Sequence, residues 1–474
     1  MISPYDVVTS KYDLPFPLWD LQIEAINDLA PRTRSGLYAE VGTGKTVMST
    51  VAALFKKLSN PQQTTSTIVI MPPILLTGWY RWLKRIPNVS AVVYKGTPSE
   101  RKEIKLHADF ILVSLNIFKN DVAYLTTFFA SNYDNVIVVV DEATSIKNSA
   151  SENHKMIRDF AVGRDLMLLT GTPLSTPMDA YAYIKLVSPT IYRNKRHFEN
   201  LHVAERDFFN NVKKWDNLDF LKENMEVNSW RILQSDVLKD LPPERYIPLH
   251  YSLDKEHAKL YKKLAEEQIL ILETGGKIDA TQATRLRHCM QQIVLNPDHF
   301  LGKEMKPAGY ELLDQILLEL NTESPDGHKL IIFANYKMTN RKLVEYLQPF
   351  GVVACYSEVS AAQQTKNIDR FMHDPTCRVA VLNPLSAGQG LDGLQDVCKD
   401  ILFMELPIIP KDFIQAVGRL HRAGQKYSVN VRLAIAEKTI QEPLLQDVLR
   451  KDVLVNKVQR GFADLRDLIF GEVS

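Results

Sequence analysis

The sequence predicts an α/β protein with two parallel-sheet lobes and helical insertions between them. Three observations carry this. Continuous apolar runs recur through the first third, they recur again after about residue 310, and the stretch between is charged and helical in period. TIVIMP (67–72), DFILVS (109–114), NVIVVVDE (135–142) and DLMLLTGTP (165–173) each end in a small, polar or turn-forming residue. Strands buried on both faces of a parallel sheet read this way, with ligand-binding residues at their C-terminal ends. TVMSTVAALFKKL (46–58) has the helical period of a connecting element. Segments 197–225 and 253–291 read as helical, without strand signals. LPPER (241–245) punctuates the region between them, because consecutive prolines cannot continue a helix. The alternation returns in HKLIIFAN (328–335), VVACYS (352–357), RVAVLN (378–383), DILFMELP (400–407) and NVRLAIA (430–436). The expected division is therefore 1–185, 186–310 and 311–474.

Composition agrees and excludes several classes. The 474 residues exceed what one core needs, since single domains usually run to roughly 100–200 residues. Hydrophobic residues at 45% and charged residues at 24% rule out a disordered or fibrous chain. Lys and Arg (57) nearly balance Asp and Glu (56), so any nucleic-acid site must be a local groove rather than a global basic field. Cys289, Cys355, Cys377 and Cys398 lie far apart without a CxxC pair, which fits a reducing compartment and no structural metal. His288, His373 and His421 show no metal-ligand spacing. The first residues carry acidic groups and no apolar signal core, and no run of about 18 apolar residues occurs. The expectation is a cytoplasmic protein that makes no membrane contact.

The sharpest motif is AEVGTGKT, Ala39 to Thr46, a phosphate-binding loop GxxxxGK[ST] with Ala39 in place of the first Gly. Gly42 and Gly44 allow backbone N–H groups to turn inward around phosphate oxygens. Lys45 suits the β/γ-phosphates, and the Thr46 hydroxyl suits Mg²⁺. VVVDEAT supplies the partner: Asp141 to hold the metal and Glu142 to orient the attacking water. Alone, an Asp-Glu pair is more often a solvated strand end. After an apolar strand and downstream of Lys45, the functional reading prevails. In QAVGRLHRAGQ (415–425), Arg419 and Arg422 are three apart and would share a helix face, as γ-phosphate stabilisers do. An arginine pair alone is ordinary on a surface, but Gly418 within a helical pattern argues for a packed role.

These motifs, with TGT at 170–172, resemble motifs I, II, III and VI of superfamily-two helicases and translocases, whose two lobes are RecA-like. MPPILLTGWYRWLKRI (71–86), DEATSIKN (141–148), LLTGTPLSTPMDAY (168–181), RILQSDVLKDLPPER (231–245), LRHCMQQIVLNP (286–297), SAGQGLDGL (386–394) and GRLHRAGQ (418–425) narrow the resemblance to the Swi/Snf-like branch. The compact chain looks like phage or prokaryotic members, which places it in a host-cell cytoplasm if phage-encoded. The resemblance implies ATP and Mg²⁺ as cofactors, with Gln22 reading adenine and Gly42, Thr43, Gly44, Lys45 and Thr46 holding phosphates and metal. It implies that Thr170 and Thr172 couple hydrolysis to lobe movement, that Gly390 and Asp392 sit near the nucleotide, and that Gln415, Arg419 and Arg422 act on the γ-phosphate.

The implied function is an ATP-dependent DNA helicase or translocase acting on duplex, forked or branched DNA as a monomer, in repair, recombination or replication. Backbone-gripping contacts suggest Ser114, Lys147, Asn335 and Lys337 as DNA candidates. The stretch IYRNKRHFENLHVAERDFF (191–209) mixes basic and aromatic residues as stacking surfaces do, although an amphipathic insertion with a solvated face is the simpler reading. Two alternatives differ in class. An RNA helicase of the DEAD-box sort needs DEAD and SAT where this chain has DEAT and TGT. A P-loop ATPase switch needs no track at all.

Overall fold

The computed structural model describes residues 2–449, apart from 41, 74, 209, 238–240, 268, 272–276, 280–282, 302–304, 324–327, 385–392, 408–409 and 447–448. Seventeen strands occur among the described residues. They are β1 (Arg34–Ala39), β2 (Thr65–Met71), β3 (Ala91–Tyr94), β4 (Phe110–Ser114), β5 (Asn135–Asp141), β6 (Asp165–Leu169), β7 (Val203–Arg206), β8 (Val212–Trp215) and β9 (Ser229–Ile232). Then follow β10 (Glu244–Tyr251), β11 (Ile269–Ile271), β12 (Lys277–Asp279), β13 (Leu330–Phe333), β14 (Val352–Cys355), β15 (Val379–Leu382), β16 (Asp400–Phe403) and β17 (Val429–Ala436).

The chain divides into two compact units, the first covering Met1–Lys239 and the second Asp240–Val453. Unit one carries a seven-stranded sheet in the order β3-β4-β2-β5-β6-β1-β9, parallel throughout. Both faces are covered. Along β2, Ile68 and Ile70 enter one apolar cluster while Val69 and Met71 enter the other, the alternation a pleated strand imposes. Such strands need no polar face, which is why they read as unbroken apolar runs.

Unit two carries a six-stranded parallel sheet in the order β10-β17-β16-β13-β15-β14. Ile331 and Phe333 of β13 join one cluster, and Leu330 and Ile332 the other. Parallel strands release their chain toward the next helix at one common edge, so each sheet presents an edge of C-terminal strand ends.

The stretch expected to be helical and free of strands is different. Antiparallel hairpins β7–β8 and β11–β12 interrupt it. Its remaining strands extend the sheets: β9 pairs with β1 in unit one, and β10 pairs with β17 in unit two. The mixed basic and aromatic stretch is an amphipathic insertion: Tyr192, Phe198 and His202 are buried, while Arg193, Lys195 and Arg196 are exposed, as is Phe208 beside the hairpin turn.

Candidate nucleotide site

In unit one, β5, β6 and β1 are consecutive in the sheet, and register places Asp141 opposite Leu169, itself opposite Leu37. At a strand spacing of about 4.8 Å, the ends of β1 and β5 stand about 10 Å apart, with the TGT turn between them. Motifs separated by a hundred residues in the chain thus share one edge.

After Ala39 the chain turns into the helix Lys45–Ser59. Gly42 and Gly44 adopt φ of 84° and 89°, a region that costs any residue with a Cβ. At Gly44 space also forbids one, since a Cβ there would stand 2.4 Å from Gln22 Nε2. Gln22 is buried against this loop. Its Nε2 donates to Thr43 O (2.8 Å) and its Oε1 accepts from Trp19 N–H (3.0 Å). Lys45 Nζ donates to Ala39 O (2.7 Å) and Glu40 O (3.0 Å), so the ammonium lies inside the loop. Thr170 is fully buried and its Oγ1 accepts from Thr172 N–H (3.2 Å). Gly171 presses on the loop: a Cβ there would lie 3.3 Å from Ala39 O and 3.5 Å from Lys45 Nζ.

Asp141 is buried at the end of β5. Trp79 Nε1–H donates to its Oδ2 (2.7 Å) and Glu142 N–H donates to its Oδ1 (2.8 Å). Burial pushes the carboxyl up to about 6, and the neighbouring Glu142 charge adds to this, against Trp79 and the Lys45 charge. Glu142 takes φ of 50°, a left-handed backbone that costs a non-glycine residue roughly 1–3 kcal/mol. That turn is what aims its N–H at Asp141. The donor set suits Mg²⁺: a carboxylate with lone pairs to spare and, in the first turn of the facing helix, the Thr46 hydroxyl. Among the described residues no cluster of three or more His, Cys, Asp or Glu could hold a metal. A Mg²⁺ held there would take its remaining ligands from phosphate and water, as that ion prefers.

Other expected residues fall elsewhere. Lys147 Nζ donates to Ser175 Oγ (2.7 Å) and lies 3.8 Å from Asp179. Ser114 is buried, and its hydroxyl caps the helix Leu115–Asn132 by accepting from Ile117 N–H. In unit two, Gln415 is buried on the helix Pro410–Val417, but Arg419 and Arg422 lie in the turns beyond its end and share no helix face. The reason lies in what holds the turn. Leu420 N–H already closes on Val417 O, and the His421 ring reaches back to Pro242 O (2.9 Å) and Glu244 Oε1 (2.9 Å), so the chain leaves the helical path. Gly390 and Asp392 lie outside the described residues. Asn335 Nδ2 donates to Leu406 O (2.8 Å), and Lys337 opens the helix Lys337–Tyr346 with its side chain exposed.

Two residues that serve these edges escaped the sequence, Trp79 on the helix Leu75–Leu83 and Glu405 beyond β16. Trp79 was visible only within the resemblance at 71–86, because a hydrogen bond spanning 62 residues leaves no spacing signature. Glu405, in unit two, gave no signal at all.

A family model described as SNF2-related domain matches residues 22–299, and one described as Helicase conserved C-terminal domain matches 309–424. The chain belongs to the SNF2-related family. Its SNF2-related relatives include Chromodomain-helicase-DNA-binding protein 1-like of Mus musculus, 26% identical over 89% of this chain and 47% of that protein. ISWI chromatin-remodeling complex ATPase ISW1 of Saccharomyces cerevisiae is 26% identical over 93% of this chain and 40% of its own length. An uncharacterized ATP-dependent helicase of Mycoplasma pneumoniae is 25% identical over 92% and 41% respectively. The chain thus spans less than half the length of these curated relatives. Among solved structures, the Sulfolobus solfataricus SWI2/SNF2 ATPase core in complex with dsDNA matches at 23% identity and a TM-score of 0.44, covering 98% of each chain. Membership of this family does not favour the DEAD-box alternative. Among the described residues no helix is long and apolar enough to cross a membrane.

Proposed function

We propose that the chain is an ATP hydrolase that couples turnover to movement along DNA, with duplex or branched DNA as its track and a single chain as the working unit. The observation that carries it is the shared edge of unit one, where the loop to Lys45, the Asp141–Glu142 pair and the Thr170–Thr172 turn follow three neighbouring strands. The two carbonyls that Lys45 Nζ now touches stand in for phosphate oxygens, and its ammonium turns from them when ATP enters. Gly42 and Gly44 expose backbone N–H groups to the phosphates, and Gln22 reads adenine beside them. Thr46 and Asp141 would hold Mg²⁺, which would supply charge neutralisation. Glu142 orients the attacking water and accepts its proton. Gln415, Arg419 and Arg422 stabilise charge on the γ-phosphate during turnover. Gly390 and Asp392 belong to the nucleotide site in this reading, and the DNA backbone meets Lys147 and Lys337. Repair, recombination or replication is the setting in which a branched track would be met.

The test is ATPase rate with single-stranded, duplex, forked and four-way DNA and with RNA, at two salt concentrations. Phosphate-held DNA should stimulate steeply at low salt, with little dependence on base sequence. Equal stimulation by RNA would overturn the DNA track. Turnover that no polymer stimulates would leave an ATPase switch.

A further inference from the structure

Glu405 lies two residues beyond β16 and is only 2% exposed. Its Oε2 accepts the N–H groups of both Asn335 (2.6 Å) and Tyr336 (3.0 Å), and its Oε1 accepts the Thr339 hydroxyl (2.6 Å). Every one of these donors is neutral. A buried carboxylate held without a cation is expensive, and an apolar side chain between Met404 and Leu406 would avoid that cost. The desolvation shows in a carboxyl pushed up to about 7 by burial.

The geometry explains what the charge does. β13 pairs with both β16 and β15, so Asn335, Glu405 and Asn383 meet at one C-terminal edge. Asn335 and Tyr336 are the residues through which β13 turns into the helix Lys337–Tyr346. The orphan N–H groups at such a helix start ordinarily face water or an anion. Here the internal Glu405 carboxyl takes two of them. Around it, Asn383 Nδ2 donates to Asn335 O (2.8 Å), Asn296 Nδ2 donates to Thr339 Oγ1 (2.9 Å), and Tyr336 O–H donates to Gln291 Oε1 (2.7 Å). The turn is fastened from several sides, and the residue it delivers, Lys337, is exposed at the first position of the helix.

We propose that Glu405 is a positioning residue, whose carboxylate fixes the Asn335–Tyr336 turn so that Lys337 meets the DNA backbone. This rests on the DNA-dependent reading above. Glu405 touches neither nucleotide nor DNA and acts only through the turn.

The experiment compares wild type with Glu405→Met, which keeps the length and removes both acceptors, and with Glu405→Gln, whose one carbonyl oxygen can still accept both N–H groups. Amide hydrogen exchange reads the turn directly, without DNA. Exchange at Asn335 and Tyr336 should rise about tenfold or more in Glu405→Met, and stay near wild type in Glu405→Gln. ATPase titrated with duplex DNA should show half-saturating DNA raised about tenfold in Glu405→Met, the rate at saturation nearly unchanged, and Glu405→Gln largely restored. Thr339→Val removes one donor and serves if Glu405→Met does not fold; the same changes should appear, smaller. Unchanged exchange overturns the proposal. Raised exchange with unaltered DNA half-saturation also overturns it, leaving Glu405 a structural fastening. A wild type that no DNA stimulates overturns the reading beneath it, and does so before any variant is compared.

Discussion

Among the described residues, each sheet buries one carboxylate at its C-terminal edge, Asp141 in unit one and Glu405 in unit two, and the two are furnished differently. An ionised carboxylate has about four lone-pair sites. Asp141 gives one contact on each oxygen, to Trp79 and to Glu142 N–H, and feels the Lys45 charge. Glu405 gives three contacts to neutral donors, two of them on one oxygen. Burial raises both, to about 6 and about 7. The difference separates a carboxylate with lone pairs left over beside a cation, as the proposed metal role needs, from one consumed by the fold.

The comparison breaks first where chemistry is expected. Glu142→Gln should lower turnover by about 10²–10⁴-fold while ATP binding persists, because it removes a base and preserves shape. Lys45→Ala should lower it by at least about 10²-fold and weaken ATP binding as well. Near-normal turnover in either variant would put the site elsewhere. The contrast sharpens with Asp141→Asn, which should be as inactive as Glu142→Gln, whereas Glu405→Gln stays active.

Next in size is stability against pH. Glu405 holds its proton up to about 7 in the native state, whereas an ordinary Glu releases it near 4.5. Between these values the native chain binds more protons than the unfolded one, so stability falls as pH rises. Tyr251, Tyr310 and Tyr336 face the carboxylate, and burial raises all three phenols, which keeps them neutral throughout. Buried His154, His202 and His257, all lowered chiefly by burial, favour the opposite trend. The difference from Glu405→Gln isolates the group. From pH 4.5 to 7, wild type should lose roughly 3 kcal/mol relative to the variant in urea unfolding. A flat difference would mean that its three donors offset the burial.

Trp79→Phe follows. It removes the donor to Asp141 Oδ2 and keeps an aromatic ring at this buried position, though a smaller one. Half-saturating Mg²⁺ should rise about tenfold, as when a partner of a metal ligand is lost. ATP binding without metal, followed by a fluorescent analogue, should hardly change. Equal weakening of both would make Trp79 a packing residue only. Smallest is Lys147→Ala. Its ammonium is already shared with Ser175 and Asp179, so half-saturating DNA should rise about threefold and the salt slope should fall by about one.

The sheet centres were legible because strands buried on both faces are unbroken apolar runs, as in β2, β5, β13 and β16. β3, β9 and β10 were not read, and all three lie at sheet edges. β10 even contains Pro248, which argues against a strand except at an edge, where its missing N–H costs little. β1 was missed for another reason: RSGLYA begins with polar and small residues, since Gly36 lies so close to Tyr38 and Ser229 that a Cβ would stand 2.6 Å from each. Lys45 and Asp141 were legible because their roles demand fixed neighbours in sequence. The arginine turn was not, because what ends its helix is a histidine held by residues 242 and 244, far upstream. Glu405 was hidden by its own setting, a lone acid among Met, Leu and Pro.

The left-handed backbone at Glu142 has a consequence for laboratory selection. Of the six non-glycine residues at positive φ among the described ones, four are asparagine, the side chain that tolerates this conformation best. Glu142 is there against backbone preference. A library at this position screened for heat resistance should enrich Gly and Asn, while one screened for ATP turnover should return Glu. The two screens would rank the same variants in opposite order at residue 142 and agree at Asn88 or Asn217, where the side chain and the backbone ask for the same thing.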